Sequence, residues 1–245
     1  MIKPTPHTAF DYRSKNYSHE MNWILDERFI NCFALPAYKN EKLLDAGAGN
    51  GIISRKCHEL GWNVTAVDIN QSMMAAIPTE IKISLQSIEE LTFSDNTFFV
   101  TVCRQVLQYT NIERALSSMY RVTNKELRLG HIKFISYKDN PFWENFFLIG
   151  NPYRKHIFYK EENFISNAIS LLKLPVSNIT NEEFEFEDII VSRRKYDNST
   201  YEKLYELFKT QNQDFIKRNK VRFLENGDIY CTRIWSFSVL KILAE

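Results

Sequence analysis

Little in this chain is extreme, and its shortages are the first guide. There are only 7 glycines, 7 prolines and 4 cysteines in 245 residues, and no repeat, low-complexity tract or linker interrupts them. A fibrous or disordered chain is excluded, and one elaborated globular domain with a full core is the expectation. Cys32, Cys57, Cys103 and Cys231 stand far apart, without CxxC spacing or nearby histidine clusters. Neither a zinc knuckle nor a disulfide framework is indicated, so no metal is expected and the thiols read as reduced core side chains. The 31 basic and 30 acidic residues leave a formal net charge of +1. No field of one sign argues for nucleic acid or an anionic membrane as partner. No stretch approaches the roughly 18 consecutive apolar residues of a membrane span, and the opening MIKPTPHTAFDYRSKN has no signal-like apolar core. A cytoplasmic monomer or homodimer, open to small-molecule or protein partners, is expected.

What is present is alternation. Residues 42–46 read as a strand, 52–60 as a helix ended by Gly61, 64–67 as a strand and 71–77 as a helix stopped by Pro78. Further strands are expected at 81–85 and 98–103, a helix at 112–122 with Ile112, Ala115, Leu116, Met119 and Val122 on its apolar face, and a fifth strand at 127–137. Strands alternating with helices imply a parallel sheet covered on both faces. After residue 140 the rhythm changes. The stretch 140–160 is aromatic and irregular, 161–173 and 200–217 read as helices, and 184–191 and 229–243 as two closing strands. The expectation is one domain: a helical cover over 1–40, with a helix at 19–35, a core over 41–138, and lid insertions with closing strands over 139–245.

The stretch KLLDAGAGNGIIS, residues 42–54, poses the functional question. A P-loop needs Gly-Lys-Ser/Thr after its turn, and nothing of that kind follows Gly51. A dinucleotide fingerprint needs a third glycine where this chain has Ile52; the spacing here is GxGxG. Asp45, at the strand's carboxyl end, would repel a pyrophosphate and attract an ammonium or sulfonium group. Asp68 lies 23 residues further on, at the end of the second strand in VTAVD, where a carboxylate can accept from both ribose hydroxyls. A nucleoside carrying positive charge meets both conditions, and S-adenosylmethionine is such a molecule.

DAGAGNG followed by VTAVDIN resembles the first two motifs of the class I S-adenosylmethionine-dependent methyltransferases. The likeness extends through LTFSDNTFFVTVCRQVLQYTNIERALSSMYRV and covers about residues 40–137. It implies an α/β, Rossmann-like fold with a seven-stranded, mostly parallel sheet, S-adenosylmethionine as cofactor and S-adenosylhomocysteine as product. Position by position, it implies that Asp45 orients the methionine end, that Gly47 and Gly49 allow close backbone approach, and that Ala46, between Asp45 and Gly47, belongs to the cofactor site. Asp68 would hold the ribose, and Ile69 and Ile88 would pack on the adenine. Ser87 stands where the family often has an aspartate for the adenine amino group, with Gln86 as the alternative one position earlier, and Gln105 would sit beside the transferring methyl. Two positions depart from the family: Phe99 replaces an acidic residue, and NKELRLG at 124–130 lacks the usual Gly-Gly turn.

The acceptor belongs at the carboxyl ends of the strands, which selects Arg104 and Tyr109, with Tyr153 and Arg154 from the aromatic stretch PFWENFFLIGNPYRKHIFY. Tyr17 resembles a cofactor-covering flap residue. His19, His156 and Tyr109 are the candidate catalytic groups, and the reaction, an in-line displacement, can proceed with no dedicated base. The expected activity is methyl transfer to oxygen or nitrogen of a small-molecule metabolite. The alternatives are a non-catalytic binding protein and a nucleotide- or NAD-binding enzyme. Simpler readings stand beside these: the glycines as a tight turn, Asp45 and Asp68 as helix caps, His131 as a packed sheet histidine, and IleGluGluLeu at 88–91 as a solvated surface.

Overall fold

A computed structural model describes residues 23–34, 36–37, 41–150 and 164–243. Within them, α1 (Glu27–Asn31) precedes a repeating pattern of β1 (Lys42–Ala46), α2 (Ile52–Glu59), β2 (Asn63–Asp68), α3 (Gln71–Met74), β3 (Lys82–Leu85), β4 (Phe98–Arg104), α4 (Ile112–Val122) and β5 (Thr123–Phe134). There follow α5 (Asn140–Gly150), α6 (Phe164–Leu172), β6 (Val176–Val191), α7 (Asn198–Lys209), α8 (Gln213–Arg218), β7 (Arg222–Phe223) and β8 (Ile229–Ile242).

The sheet has the strand order β3-β2-β1-β4-β5-β8-β6, with the two-residue β7 antiparallel to β8. Among the described residues that makes eight strands, one more than the seven expected, the extra one being short. β1 is parallel to both β2 and β4, β2 to β3, and β4 to β5. The chain therefore winds outward from β1 in one direction and from β4 in the other. Such a reversal leaves a crevice at the carboxyl ends of the two strands, the usual ligand position in open α/β sheets.

The chain divides into two compact units. One, the glycine-loop unit, is built on residues 25–131, 164–182 and 236–243; the other, the aromatic unit, on 23–24, 132–150 and 183–235. β5, β6 and β8 have residues in both. In the first unit α4 buries Ala115, Leu116, Met119 and Val122 on one face, and the Asn111 side chain caps it by accepting from the Arg114 N–H at 3.0 Å. In the second, Phe134, Trp143, Phe146, Phe208 and Phe215 form the centre of a buried cluster.

Several boundaries differ from the sequence reading. Residues 140–150, expected to be irregular, form α5, whose apolar run buries Trp143 and Phe146. The single helix expected over 200–217 is two, because Asn212 accepts from the Phe215 N–H at 2.9 Å and starts α8 afresh. β6 begins eight residues earlier than expected, at Val176, and β5 begins at Thr123 instead of residue 127 and ends at Phe134. α3 closes at Met74, three residues short of the expected end. The missing Gly-Gly turn before β5 has a physical explanation. Val122 ends α4 and Thr123 is already extended (φ −109°, ψ 136°), while its hydroxyl donates to the Met119 carbonyl at 2.6 Å and satisfies a helix-end acceptor. Phe99, the other departure, packs against Trp62 with ring centroids 6.4 Å apart. Among the described residues no helix is long and apolar enough to cross a membrane.

Candidate cofactor site

β1 runs straight into the glycine turn. Gly47, Gly49 and Gly51 have φ of +79°, +54° and +75°, a region that side chains with a Cβ seldom adopt. The turn is pinned to β2, since the Gly47 and Ala48 N–H groups both donate to the Val67 carbonyl, at 2.8 and 2.9 Å. It is also wedged from behind by apolar side chains. A Cβ added at Gly47 would lie 2.3 Å from Val106 Cγ2, and one at Gly51 would lie 2.6 Å from Ile77 Cγ1. Arg55 completes the support, its guanidinium donating to the Asn50 carbonyl at 2.8 Å and to the Ala76 carbonyl at 3.2 Å.

Two carboxylates flank this turn. Asp68, half-buried at the end of β2, accepts from the Gly49 N–H and from the Asn70 N–H, each at 2.9 Å, through different oxygens. Asp45 is 2% exposed and accepts from the Ser54 hydroxyl at 2.6 Å. Burial pushes its carboxyl up to about 6, against the hydrogen bond from Ser54 and the positive charge of Arg104, which pull it down, while Asp68 adds to the rise. The end of β1 therefore presents a carboxylate whose charged form is costly unless positive charge is nearby. That donor and charge set suits a cationic nucleoside and would be poor for a pyrophosphate.

The other described residues singled out in the sequence are placed as follows. Ala46 is the fully buried last residue of β1. Ile69 follows Asp68 and is 52% exposed. Ser87 accepts from the Glu89 N–H at 3.2 Å, whereas Gln86, the alternative, is spent on Ser84 Oγ (2.7 Å) and on the Thr92 N–H (2.8 Å). Ile88 is buried. Gln105 leaves β4 with φ +58°; its N–H donates to the Gly130 carbonyl at 2.8 Å and its own carbonyl accepts from Gln108 Nε2 at 2.9 Å. A non-glycine residue in that region costs about 1–2 kcal/mol, so the β4 exit is held in a strained shape next to the glycine turn through Val106. Arg104 is the last residue of β4, and Tyr109 lies in a short 3-10 turn, Leu107–Tyr109, just beyond it.

The sequence reading did not single out Val106, Arg55 or Ser54. Val106 reads as one more apolar residue in CRQVLQY, and only the requirement that something fill the space above a Cβ-less Gly47 could have marked it. Tyr17, His19, Tyr153, Arg154 and His156 lie outside the described residues. His131 is buried in β5, edge-on to Phe164 with centroids 4.8 Å apart. Glu89 and Glu90 pair with Arg114, as a solvated surface does.

Residues 44–129 match a family model described as a methyltransferase domain. The chain is 31% identical over 93 residues to a malonyl-[acyl-carrier protein] O-methyltransferase of Pectobacterium atrosepticum, covering 36% of this chain and 37% of that protein. It is 28% identical over 178 residues to the enzyme of the same name from Buchnera aphidicola, covering 69% and 67%. The match to the Pectobacterium protein thus spans little more than a third of that protein's length. Among solved structures, the YcgJ protein of Bacillus subtilis superposes with a TM-score of 0.74 at 13% identity, over 89% of this chain and 100% of that one. At that identity the likeness establishes the fold, a Rossmann-like α/β arrangement. Residues 44–129 thus match a methyltransferase domain, set in the fold that the solved structures share.

Proposed function

We propose that this chain is an S-adenosylmethionine-dependent methyltransferase that methylates an oxygen or nitrogen of a small-molecule metabolite. One observation carries the reading: the 2.9 Å bond from the Gly49 N–H to Asp68, which brings the glycine turn and the carboxylates at the ends of β1 and β2 to one crevice. The bound cofactor supplies a methyl on a sulfonium with a neutral sulfide as leaving group. The chain's own residues have three tasks. Asp68 accepts from the ribose hydroxyls and fixes the nucleoside. Asp45 offers its negative charge to the methionine end, and the glycine turn lets the backbone come close there. Gln105, in its strained exit from β4, stands beside the transferring methyl, with Arg104 and Tyr109 toward the acceptor. Alignment of the nucleophile and exclusion of water then account for most of the acceleration. Both curated relatives described above are named as O-methyltransferases, which favours oxygen over nitrogen.

Calorimetric titration with S-adenosylmethionine and S-adenosylhomocysteine tests this. Micromolar binding, about −8 kcal/mol, that falls at least about a hundredfold in Asp68→Ala is the expected result. Absence of binding to either ligand overturns the reading. Turnover is then assayed with carboxylate and hydroxyl acceptors.

A further inference from the structure

Asp45 has one partner that is itself sealed from solvent. Ser54 is the third residue of α2, after the left-handed N-cap Gly51, and has no exposed surface. A serine this near a helix start usually bonds backbone; here the hydroxyl's single proton goes to Asp45 Oδ2 at 2.6 Å. The surroundings are apolar: Leu44, Ala46, Ile53 and Cys57 are all buried. An apolar pair at positions 45 and 54 would fold at lower cost than a buried carboxylate with a hydroxyl. Retention of the polar pair therefore points to a use in binding.

We propose that Ser54 is a positioning residue of the cofactor site: by donating to Asp45 it holds the buried carboxylate charged and in place for the cationic methionine end of the ligand, and so sets the lower pH limit of ligand binding. The inference rests on the reading of this crevice as an S-adenosylmethionine site. The groups that act on Asp45 are few. Arg104 at the end of β4 favours its charged form and Asp68 at the end of β2 opposes it. Cys57 on α2, pushed up to about 12, and Cys103 on β4, pushed higher still, remain neutral thiols at any working pH. Arg128 on β5 acts on Cys57. Neither thiol titrates in the range of Asp45, and the Asp45→Asn background below separates its contribution from those of its charged neighbours.

The test compares two probes across pH by calorimetry. S-adenosylhomocysteine carries the α-ammonium of the amino-acid end, whereas 5′-methylthioadenosine has the same nucleoside and sulfur without that end. In Ser54→Ala, the pH at which S-adenosylhomocysteine affinity begins to fall is expected to move up by about one unit, giving about fivefold weaker binding near pH 6 and less than about twofold change near pH 8. Methylthioadenosine affinity stays within about twofold throughout. Ser54→Cys, close in volume and a weaker donor, gives a smaller shift and guards against loss of folding. In an Asp45→Asn background the Ser54→Ala effect disappears. Equal weakening of both probes at every pH, or an unmoved pH profile, overturns the role assigned to Ser54. If the wild type binds neither probe, the cofactor reading itself fails and takes this inference with it.

Discussion

The glycine turn is partly exposed and the aromatic cluster is buried, and the two are held by opposite means. Around Gly47–Gly51 nearly every stabilising contact is a directed one: two N–H groups on one carbonyl, two more on Asp68, a guanidinium on two further carbonyls. The backbone is in conformations that only glycine adopts cheaply, and the space above it is already filled by Val106 and Ile77. In the aromatic unit the contacts are broad. Trp143 stacks on Phe134 with centroids 3.9 Å apart and meets Phe142, Phe146, Phe208 and Phe215 at 4.9 to 6.2 Å. Its two buried carboxylates, Asp139 and Asp188, are both partnered. Arg233 donates to Asp188 at 2.9 Å and lies 4.6 Å over the Phe134 ring, and Asp139 accepts from both Arg218 and Asn219. One region depends on where single atoms are, the other on how much apolar surface is removed from water.

Substitutions can separate these two modes. The largest loss is expected from Trp143→Ala, which deletes a fully buried ring and should cost about 3–5 kcal/mol in urea unfolding. Gly47→Ala adds one methyl and is expected to cost about 2–4 kcal/mol, more per atom than any change in the cluster, and to abolish S-adenosylhomocysteine binding. Pairing it with Val106→Ala should recover about 1–2 kcal/mol; no recovery would mean that backbone strain alone, and not the wedge, dominates there. Asp45→Asn acts in the other direction. The Asp45 carboxyl is raised from 3.8 to about 6, so its contribution to stability is full below about pH 4 and is lost as pH rises through 6. Removing the ionisable group should therefore stabilise the chain at pH 8 by up to about 3 kcal/mol relative to wild type, while weakening ligand binding. Smallest is Phe208→Leu, for which repacking should hold the loss to about 1–2 kcal/mol, a tolerance the glycine turn lacks.

Much of the first unit is legible in the sequence alone, because its signals are local. Glycine clusters at one strand end, Asp68 ends a β-branched run, and α4 shows an apolar face at helical spacing; each has one ready structural meaning. The second unit is harder for a physical reason. NPFWENFFLIG is apolar on nearly all sides, so α5 has no polar stripe to reveal its period, and VSNITNEE, which opens β6, has too few apolar residues to read as a strand. The split at Asn212 depends on one side-chain cap, and such caps are visible only when the competing continuous helix is ruled out. In the site, the carboxylates and glycines are readable by chemistry. Ser54, Arg55 and Val106 are not, because their roles are relations to atoms distant in the chain.

The direct passage from Val122 to Thr123 leaves α4 and β5 with no slack between them. In most crossovers a loop absorbs a gained or deleted residue. Here one inserted residue would turn the end of the helix by about 100° or move β5 one step along β4, exchanging the residues on its two faces. The pairing of Thr101 with Thr123, hydroxyl to hydroxyl at 2.6 Å, would be among the first bonds to break. The step itself therefore behaves as a fixed ruler, and length is taken up just beyond it, where Phe99 alone on β4 faces both Asn124 and Lys125 on β5.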